Sequence, residues 1–333
     1  MTGGAGFLGA HTTRELLDAG HDVVVFDDLS GGFEENVDPR ARLVTGSIVD
    51  HVAVDALFER EGFDQVFHLA AYAAEGLSPF IKRFNYTNNV LGSVNLINAS
   101  VNFGIDCFVF TSSIAVYGSG QVPMIEELIP QPEDSYGIAK HAVEQELRAS
   151  HELFGLEYVI FRPHNVFGEL QNIGDRYRNV LGIFMNQMMR DEPLTIFGDG
   201  TQTRAFSYVA DVVPSIAAAP WTDGARGEVF NVGADTPYTV NELADVVRRA
   251  MGVSDHPVRH LAPRNEVQHA FSDHSKLARV FGTRPQVDLR EGVQRMADWA
   301  REVGARETAL FTGIEIERGL PEGWAEAADP AAI

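Results

Sequence analysis

The amino-acid sequence predicts an α/β protein with a doubly wound parallel sheet, followed by a smaller α+β domain. Three observations lead to this expectation. Apolar runs alternate with helix-patterned stretches through the first half, a glycine-rich segment opens the chain, and the regular alternation loosens after about residue 165. Such alternation is typical of parallel strands joined by crossover helices.

Four apolar runs in the first half are predicted strands. They read HDVVVF at 21 to 26, DQVFHLAA at 64 to 71, DCFVFTSS at 106 to 113 and LEYVIFRP at 156 to 163. Their apolar residues are continuous and do not alternate with polar ones, which indicates strands that are covered on both faces.

Helical patterns lie between these strands. The stretch TRELLDAG ends in a glycine that can cap a helix, and NNVLGSVNLINASVNFG places apolar residues three or four positions apart before Gly104. This spacing predicts helices with one apolar face. Each strand therefore has a helix that carries the chain back to the next one.

The second half is predicted to hold shorter elements. NIGDRYRNVLGIFMNQMMRDEP is expected to be helical, and TIFGDGTQTRAFSYV is expected to form a hairpin around Asp199 and Gly200. We expect residues 1–165 to form the first domain and residues 166–310 the smaller one, with some segments returning to the first. Residues 311–333 are expected to form a loosely held tail.

Composition and charge argue against two classes of partner. The 333 residues carry a formal net charge of −21, which opposes contact with the phosphates of nucleic acids and with anionic lipid. No apolar run approaches 18 residues, and the single cysteine, Cys107, lies in a predicted strand. We therefore expect a soluble cytoplasmic protein without a disulfide, a metal site, a nucleic-acid partner or a membrane partner.

The first residues have the pattern of a phosphate-binding loop. Gly3, Gly6 and Gly9 form GxxGxxG, and Asp27 follows Gly9 by 18 residues, at the end of the first predicted strand. This order of elements suits a dinucleotide, with the pyrophosphate at the loop and the adenosine ribose on the acid. A carboxylate there repels a 2′-phosphate, so NAD is favoured over NADP. The alternative is a glycine-rich turn followed by a surface acid.

No strand precedes this loop, although a phosphate-binding loop normally follows one. Met1 and Thr2 are the residues before Gly3. A missing central strand leaves the backbone of its neighbours unpaired in an apolar interior. We therefore expect the natural protein to have several further apolar residues before Met1.

A Tyr/Lys pair and a serine pair point to catalysis. Tyr136 and Lys140 are one helical turn apart in DSYGIAKHAVEQEL, so both lie on one helix face. Ser112 and Ser113 end a predicted strand, at the sheet edge that ligands occupy in doubly wound folds. Each feature has an ordinary structural explanation, but together they form a Ser–Tyr–Lys constellation.

At this point the chain resembles the extended short-chain dehydrogenases/reductases, and among them the nucleotide-sugar 4-epimerases of the UDP-galactose 4-epimerase type. The resemblance runs from Thr2 to about Trp299 and is carried by motifs in the family's order. They are TGGAGFLG, HLAA, NNVLGSVNLI, TSSIAVYG, YGIAK, RPHNVFG and GDGTQTRAFSYV. The resemblance implies a Rossmann-like NAD-binding domain, a nucleotide-sugar-binding domain and a homodimer.

The resemblance also assigns site residues. It implies catalysis by Ser113, Tyr136 and Lys140, and nucleotide-sugar binding by Ser113, Asn165, Arg204 and Arg264. It implies cofactor contacts from Gly3, Gly6, Phe7, Leu8, Asp27, Ser47, Ile48, Leu69, Ala70, Ala71, Asn89, Ser112, Tyr136, Lys140 and Pro163. Ser47 departs from the family, in which an aspartate is usual.

The implied reaction inverts C4 of a nucleotide-linked sugar, with UDP as the expected nucleotide and a hexose or hexuronic acid as the sugar. Tyr136 removes the proton of the 4-hydroxyl group while hydride passes from C4 to NAD, and Ser113 hydrogen-bonds the oxygen. The transient 4-keto sugar turns over and takes the hydride back on its other face. A non-catalytic NAD-binding regulator, a keto-sugar reductase and a dehydratase are the alternatives. Ile114 and Ala115 stand where dehydratases of the family carry an Asp-Glu pair, which favours epimerisation.

Overall fold

The computed structural model describes residues 1–264, 266–308 and 310–324. Its helices are α1 (Phe7–Asp18), α2 (His51–Glu61), α3 (Lys82–Tyr86), α4 (Gly92–Asn102), α5 (Ser135–Phe154), α6 (Val180–Met189), α7 (Val209–Ala218), α8 (Val240–Ala250), α9 (Ser275–Phe281) and α10 (Leu289–Val303). Short 3-10 turns lie at Glu34–Asn36, Ser78–Phe80, Ile114–Tyr117 and Ala219–Trp221, and a π turn lies at Thr87–Leu91. Across the described ranges, no helix combines the length and the apolar character needed to cross a membrane.

The strands are β1 (Val24–Asp27), β2 (Arg42–Thr45), β3 (Gln65–His68), β4 (Cys107–Thr111), β5 (Tyr158–Pro163), β6 (Val166–Phe167), β7 (Leu194–Phe197), β8 (Thr203–Ala205), β9 (Ser207–Tyr208), β10 (Glu228–Val232), β11 (Pro237–Thr239), β12 (Val258–Leu261) and β13 (His269–Ala270). The four predicted strands of the first half correspond to β1, β3, β4 and β5. Each observed strand is shorter than the apolar run that predicted it.

The main sheet is parallel and covered on both faces. Strands β3, β4, β5 and β10 lie side by side, and β1 pairs in parallel with β2. Apolar residues of α2, α4 and α5 pack on one face, and those of α1 and α7 pack on the other. The predicted doubly wound α/β class is therefore confirmed.

Met1 and Thr2 lie between the two parts of this sheet. Thr2 forms parallel bridges to Phe26 of β1 and to His68 of β3. Its N–H donates to the carbonyl oxygen of Phe67 at 2.9 Å, and the N–H of Phe26 donates to the carbonyl oxygen of Met1 at 2.8 Å. These two residues thus join β1 to β3. The expectation of further apolar residues before Met1 stays a prediction.

The second half contributes its own apolar core. Residues of α6, α8 and α10 pack together with those of β7 and β9. β10 comes from this half of the sequence but pairs with β5 in the main sheet. The division into two domains near residue 165 stays a prediction.

The predicted hairpin around Asp199 and Gly200 is wrong. β7 pairs in parallel with β12, whereas β8 pairs with β11 and β13. The chain does turn there, with φ of 77° at Gly200. The strands on either side separate because later segments of the chain, distant in sequence, supply their hydrogen-bonding partners.

The expectation of a loosely held segment after residue 311 is wrong for residues 311–324. Trp324 is 4% exposed and packs edge-to-face on Tyr177, with 5.4 Å between ring centroids. The carboxylate of Glu315 accepts hydrogen bonds from the N–H groups of Arg83 and Phe84, each at 2.9 Å. This segment therefore caps the start of α3. Residues 325–333, also predicted as tail, lie outside the described residues.

Candidate active site

A cleft of about 1040 Å³ lies at the carboxyl ends of β1, β3, β4 and β5. Ligands occupy this edge in doubly wound sheets. Most of the predicted site residues line it, namely Gly3, Gly6, Phe7, Leu8, Asp27, Ile48, Leu69, Ala70, Ala71, Ser112, Ser113, Tyr136, Lys140, Pro163, Asn165, Arg204 and Arg264.

Two predicted cofactor contacts do not line the cleft. The hydroxyl of Ser47 accepts a hydrogen bond from the N–H of Val49 at 3.3 Å, while its neighbours Gly46 and Ile48 line the cleft. Asn89 is 2% exposed, and its amide bonds to both the N–H and the carbonyl oxygen of Tyr72, at 2.9 and 3.1 Å. Asn89 therefore holds the segment after β3, and through it the cleft wall.

The glycine loop fits only glycine at two positions. Gly3 has φ of 71°, and a Cβ added to it would lie 2.6 Å from the backbone nitrogen of Ala70. A Cβ added to Gly9 would lie 2.0 Å from the carbonyl oxygen of Gly3. The loop is thus pressed against the segment after β3, and α1 begins directly after it at the cleft. An exposed helix N-terminus beside a bare backbone is suited to a pyrophosphate.

Asp27 ends β1 at the same wall. Its two carboxylate oxygens accept hydrogen bonds from the N–H groups of Ala5 and Leu29, at 3.0 and 2.9 Å. Burial raises the pKa of Asp27, and these backbone bonds oppose the rise. Each oxygen retains acceptor capacity for a ribose hydroxyl group. The loop and this acid together fit the adenosine diphosphate half of NAD.

Tyr136 and Lys140 project from α5 into the centre of the cleft. The ammonium nitrogen of Lys140 donates to the carbonyl oxygen of Thr111 at 2.8 Å and lies 5.7 Å from the centroid of the Tyr136 ring. Ser113 follows β4, where its hydroxyl oxygen accepts from the N–H of Ala115 at 3.1 Å. The predicted Ser–Tyr–Lys residues therefore come together, on α5 and at the end of β4.

Burial acts against charge on both members of the Tyr/Lys pair. It lowers the pKa of Lys140 to about 7, and the nearby carboxylate of Glu144 partly offsets this. It also raises the pKa of Tyr136; the charge of Glu75 adds to the rise and the hydroxyl of Ser113 opposes it. The chain's own residues thus favour a protonated phenol until further positive charge is brought beside it.

A buried ion pair holds α5 against the sheet. The guanidinium group of Arg162 on β5 donates to both carboxylate oxygens of Glu144 on α5, at 2.9 and 2.6 Å. Both side chains are almost fully buried, and Arg162 also stacks on the ring of Tyr117. Because a bidentate pair restricts orientation as well as distance, it positions the helix that carries Tyr136.

The far end of the cleft is built from charged side chains. Arg204 donates to the carbonyl oxygens of Thr203 and Val267 at 2.8 and 2.6 Å. Arg264 lies over the ring of Phe197, 4.8 Å from its centroid. The carboxylate of Glu266 pairs with both arginines, at 3.4 Å from Arg204 and 3.2 Å from Arg264. This end is therefore suited to an anionic group that can share the two guanidinium groups.

The charged residues that line the cleft and that the motifs missed include Glu75, Asp134, Arg178 and Glu266. Glu75 follows the HLAA segment at the end of a predicted strand, and that position was the one available signal. Asp134 caps α5, where its carboxylate accepts from the N–H of Gly137 at 2.8 Å. The other two belong to loops that no pattern singles out.

A family model described as "NAD dependent epimerase/dehydratase family" matches residues 1–233. The chain belongs to this family. The resemblance to nucleotide-sugar epimerases, the Rossmann-like fold and NAD as the cofactor are thereby confirmed, and the glycine loop and Asp27 are consistent with that cofactor.

Members of the family with known names are similar over nearly the whole chain. A UDP-glucose 4-epimerase of Mycolicibacterium smegmatis is 32% identical over 308 residues, which cover 90% of this chain and 97% of the relative. The crystal structure of a Thermotoga maritima UDP-glucose 4-epimerase with UDP-glucose has a TM-score of 0.86 and 34% identity, and covers 91% of this chain and 98% of its own. A Bacillus cereus UDP-glucuronic acid 4-epimerase, solved with UDP-glucuronic acid and NAD, has a TM-score of 0.83 and 29% identity, with coverage of 91% and 98%. Nucleotide-sugar decarboxylases and a dehydratase match at comparable identity.

Proposed function

We propose that this protein is an NAD-dependent 4-epimerase of a UDP-linked hexose or hexuronic acid. The observation that carries the proposal is the meeting of Ser113, Tyr136 and Lys140 in one cleft, between a wall that suits a dinucleotide and an arginine-rich end. The names of the similar proteins favour the same reaction.

The cofactor would be held by backbone and by one acid. The bare loop at Gly3 and Gly6 suits its pyrophosphate and Asp27 suits the adenosine ribose. When bound, NAD would supply a hydride acceptor that also returns the hydride, so that the sugar undergoes no net oxidation.

Tyr136 is proposed to take the proton of the 4-hydroxyl group and to return it. Tyr136 and Lys140 can exist as a neutral phenol and a neutral amine, or as a phenolate and an ammonium group. The two forms contain the same number of protons. A positive charge near the phenol therefore shifts this internal balance towards the phenolate. Ser113 would donate a hydrogen bond to the oxygen as it becomes a carbonyl.

The residues after Ser113 support inversion at C4 over elimination of water. Ile114 is 8% exposed, and Ile114 and Ala115 both carry hydrocarbon side chains that transfer no proton. Elimination across C5 and C6 requires a group that removes one proton and another that protonates the leaving hydroxide. The proposed reaction needs only the acid–base group that Tyr136 supplies.

The arginines of the far end are proposed to bind the diphosphate of the substrate. Planar guanidinium groups bind phosphate oxygens in pairs, and Arg204 is oriented by the three backbone carbonyl groups to which it donates, those of Thr203, Val267 and Gln268. Asn165 follows β5 and lines the cleft, with φ of 42°. Its amide is proposed to contact the same nucleotide.

The test is turnover of a panel of nucleotide sugars by the purified protein. UDP-glucose, UDP-galactose, UDP-N-acetylglucosamine and UDP-glucuronic acid are incubated separately and the 4-epimers are separated by chromatography. We expect 4-epimer formation with at least one of them, and a loss of about 10³-fold in kcat for Tyr136→Phe with binding of NAD retained. Full turnover by Tyr136→Phe would contradict the assignment. A dehydrated or decarboxylated product would contradict the proposed reaction.

A further inference from the structure

Glu75 is a charged residue of the cleft to which the proposed chemistry gives no role. It lies in the segment after β3 and lines the same cleft as Tyr136, Arg204 and Arg264. Its side chain is accessible from the cleft. A bound sugar would therefore meet this carboxylate.

Two hydrogen bonds fix Glu75 relative to the proposed catalytic residue. The hydroxyl of Ser78 donates to the backbone carbonyl oxygen of Glu75 at 2.8 Å and accepts from the backbone N–H of Tyr136 at 3.0 Å. Ser78 is 1% exposed, so solvent does not compete for these bonds. One side chain thus joins the backbone of Glu75 to the first turn of α5. The backbone positions that carry the Glu75 carboxylate and the Tyr136 phenol are therefore held to each other.

The charge of Glu75 is not cancelled by an ion pair. Over the described ranges, no lysine, arginine or histidine nitrogen lies within 4 Å of its carboxylate, although Arg204 and Arg264 are near enough to influence it. Both arginines are already paired with Glu266. Asp134, which caps α5, adds a second negative charge on the side of Tyr136.

Glu75 thus brings negative charge to the part of the cleft where the reacting sugar must lie. The pyranose has to place its C4 at Tyr136, and the substituent on C5 is adjacent to C4 on the ring. A hydroxymethyl group there can donate a hydrogen bond to a carboxylate. A carboxylate on the sugar is repelled by the ionised form of Glu75, and this repulsion acts at short range across the cleft.

We propose that Glu75 is a specificity-determining residue that admits neutral hexosyl groups and rejects hexuronic acids. The inference rests on the proposed 4-epimerase function and narrows its substrate class. Rejection of a competitor by a like charge is a common source of specificity, since it penalises the wrong ligand while costing the right one little.

The first experiment compares kcat/KM for UDP-glucose and for UDP-glucuronic acid in the NAD-loaded protein and in three variants. We expect the natural protein to prefer UDP-glucose, and Glu75→Gln to lower that preference by about 10-fold or more, through better use of UDP-glucuronic acid. Glu75→Asp keeps the charge and should keep the preference. Glu59→Gln on the exposed face of α2 removes one acidic group far from the cleft, and should leave the ratio unchanged. An equal ratio in Glu75→Gln and the natural protein, or a natural preference for UDP-glucuronic acid, would overturn the inference.

The same ratio should depend on pH. The side chain is accessible, but the surrounding cleft walls reduce its hydration and raise the pKa of Glu75 to about 7; Asp134 adds to this rise, and Arg204 and Arg264 oppose it. Raising the pH from 6 to 8 ionises Glu75, so the preference for UDP-glucose should increase in the natural protein. Tyr136, Asp134, Glu266 and the two arginines remain in Glu75→Gln, and the pH dependence of its ratio should be flatter. Parallel profiles in the two proteins would contradict the role of this carboxylate.

Binding separates this inference from the proposed reaction. Titration calorimetry of the NAD-loaded protein with UDP-glucose and with UDP-glucuronic acid needs no turnover. If no sugar is epimerised but Glu75→Gln gains affinity for UDP-glucuronic acid over UDP-glucose, the reaction is wrong and the role of Glu75 stands. If epimerisation occurs but Glu75→Gln changes neither the turnover ratio nor the binding ratio, the proposed reaction stands and the role of Glu75 is wrong.

Discussion

The two halves of the cleft are built in different ways. The half at the glycine loop consists of backbone, with Gly3 and Gly9 packed so closely that no Cβ fits, and with Asp27 held by two N–H groups. The half at β8 consists of charged side chains that hold one another, with Glu266 between Arg204 and Arg264. One half is shaped by steric exclusion and the other by electrostatics.

This difference predicts how each half responds to substitution. A binding surface made of backbone is lost when an added atom forces the chain apart. Where charged side chains bind the ligand, each substitution removes only part of the affinity for it.

Gly9→Ala should abolish cofactor binding in the half of the cleft at the glycine loop. Its added Cβ would lie 2.0 Å from the carbonyl oxygen of Gly3, so the loop or α1 must move. We expect NAD binding to be lost and turnover to fall by about 100-fold or more, the cost of misplacing a binding surface by about 1 Å. Binding is measured by fluorescence titration with NAD. Gly182→Ala, on a helix outside the main sheet, is the control, and similar NAD affinities in the two variants would remove the basis of the comparison.

Arg204→Ala should weaken, but not abolish, substrate binding in the half of the cleft at β8. Loss of a charge-assisted contact to phosphate costs about 1.5–3 kcal/mol, which corresponds to a rise in KM of roughly 10- to 100-fold. We expect kcat to change only a few-fold, because the residue binds the part of the substrate that does not react. Arg204→Lys should give an intermediate KM, since an ammonium group keeps the charge but not the planar fork. A fall in kcat with KM unchanged would show that this half does more than bind.

Asp27→Asn should reduce the selectivity for NAD over NADP in the half of the cleft at the glycine loop. The substitution removes the charge that repels a 2′-phosphate and keeps one acceptor oxygen. Its NH2 group faces one of the two N–H groups that bind Asp27, which weakens the binding of both cofactors. We expect the preference for NAD over NADP to fall by about 10-fold, measured as the ratio of the two dissociation constants. Asp22→Asn, an exposed acid before β1, should leave the ratio unchanged. A preference that survives in Asp27→Asn would mean that backbone, and not charge, selects the cofactor.

Lys140→Met, a substitution at the centre of the cleft, should alter how the free energy of unfolding depends on pH. Burial lowers the pKa of Lys140 to about 7 from the usual value near 10.5, so between these pH values the unfolded chain binds more protons than the folded one. The contribution of Lys140 to the free energy of unfolding therefore increases as the pH rises from 7 towards 10. In Lys140→Met this increase should be absent, so the difference in Tm between the two ligand-free proteins should change steadily with pH. A difference that stays constant would show that the amine keeps its ordinary pKa when folded.

The features that the sequence predicts correctly are those whose whole signal lies in one segment. The four apolar runs became β1, β3, β4 and β5, and Tyr136 and Lys140 share a helix face because their spacing matches the helical period. The prediction is wrong where two segments distant in sequence must pair. The chain does turn at Asp199 and Gly200, but the partners of β7 and β8 lie 32 to 66 residues further on and carry no local mark.

The α/β class, the glycine loop and the candidate Ser–Tyr–Lys residues can be recognised in the sequence, because periodicity, glycine spacing and helix geometry are properties of short stretches of chain. Tertiary packing is needed to bring Ser78 between Glu75 and Tyr136, Glu266 between two arginines and Trp324 onto Tyr177. Charge and burial act through distance in space. A residue's neighbours in space, and hence its ionisation and its partners, are set only when the whole chain has packed.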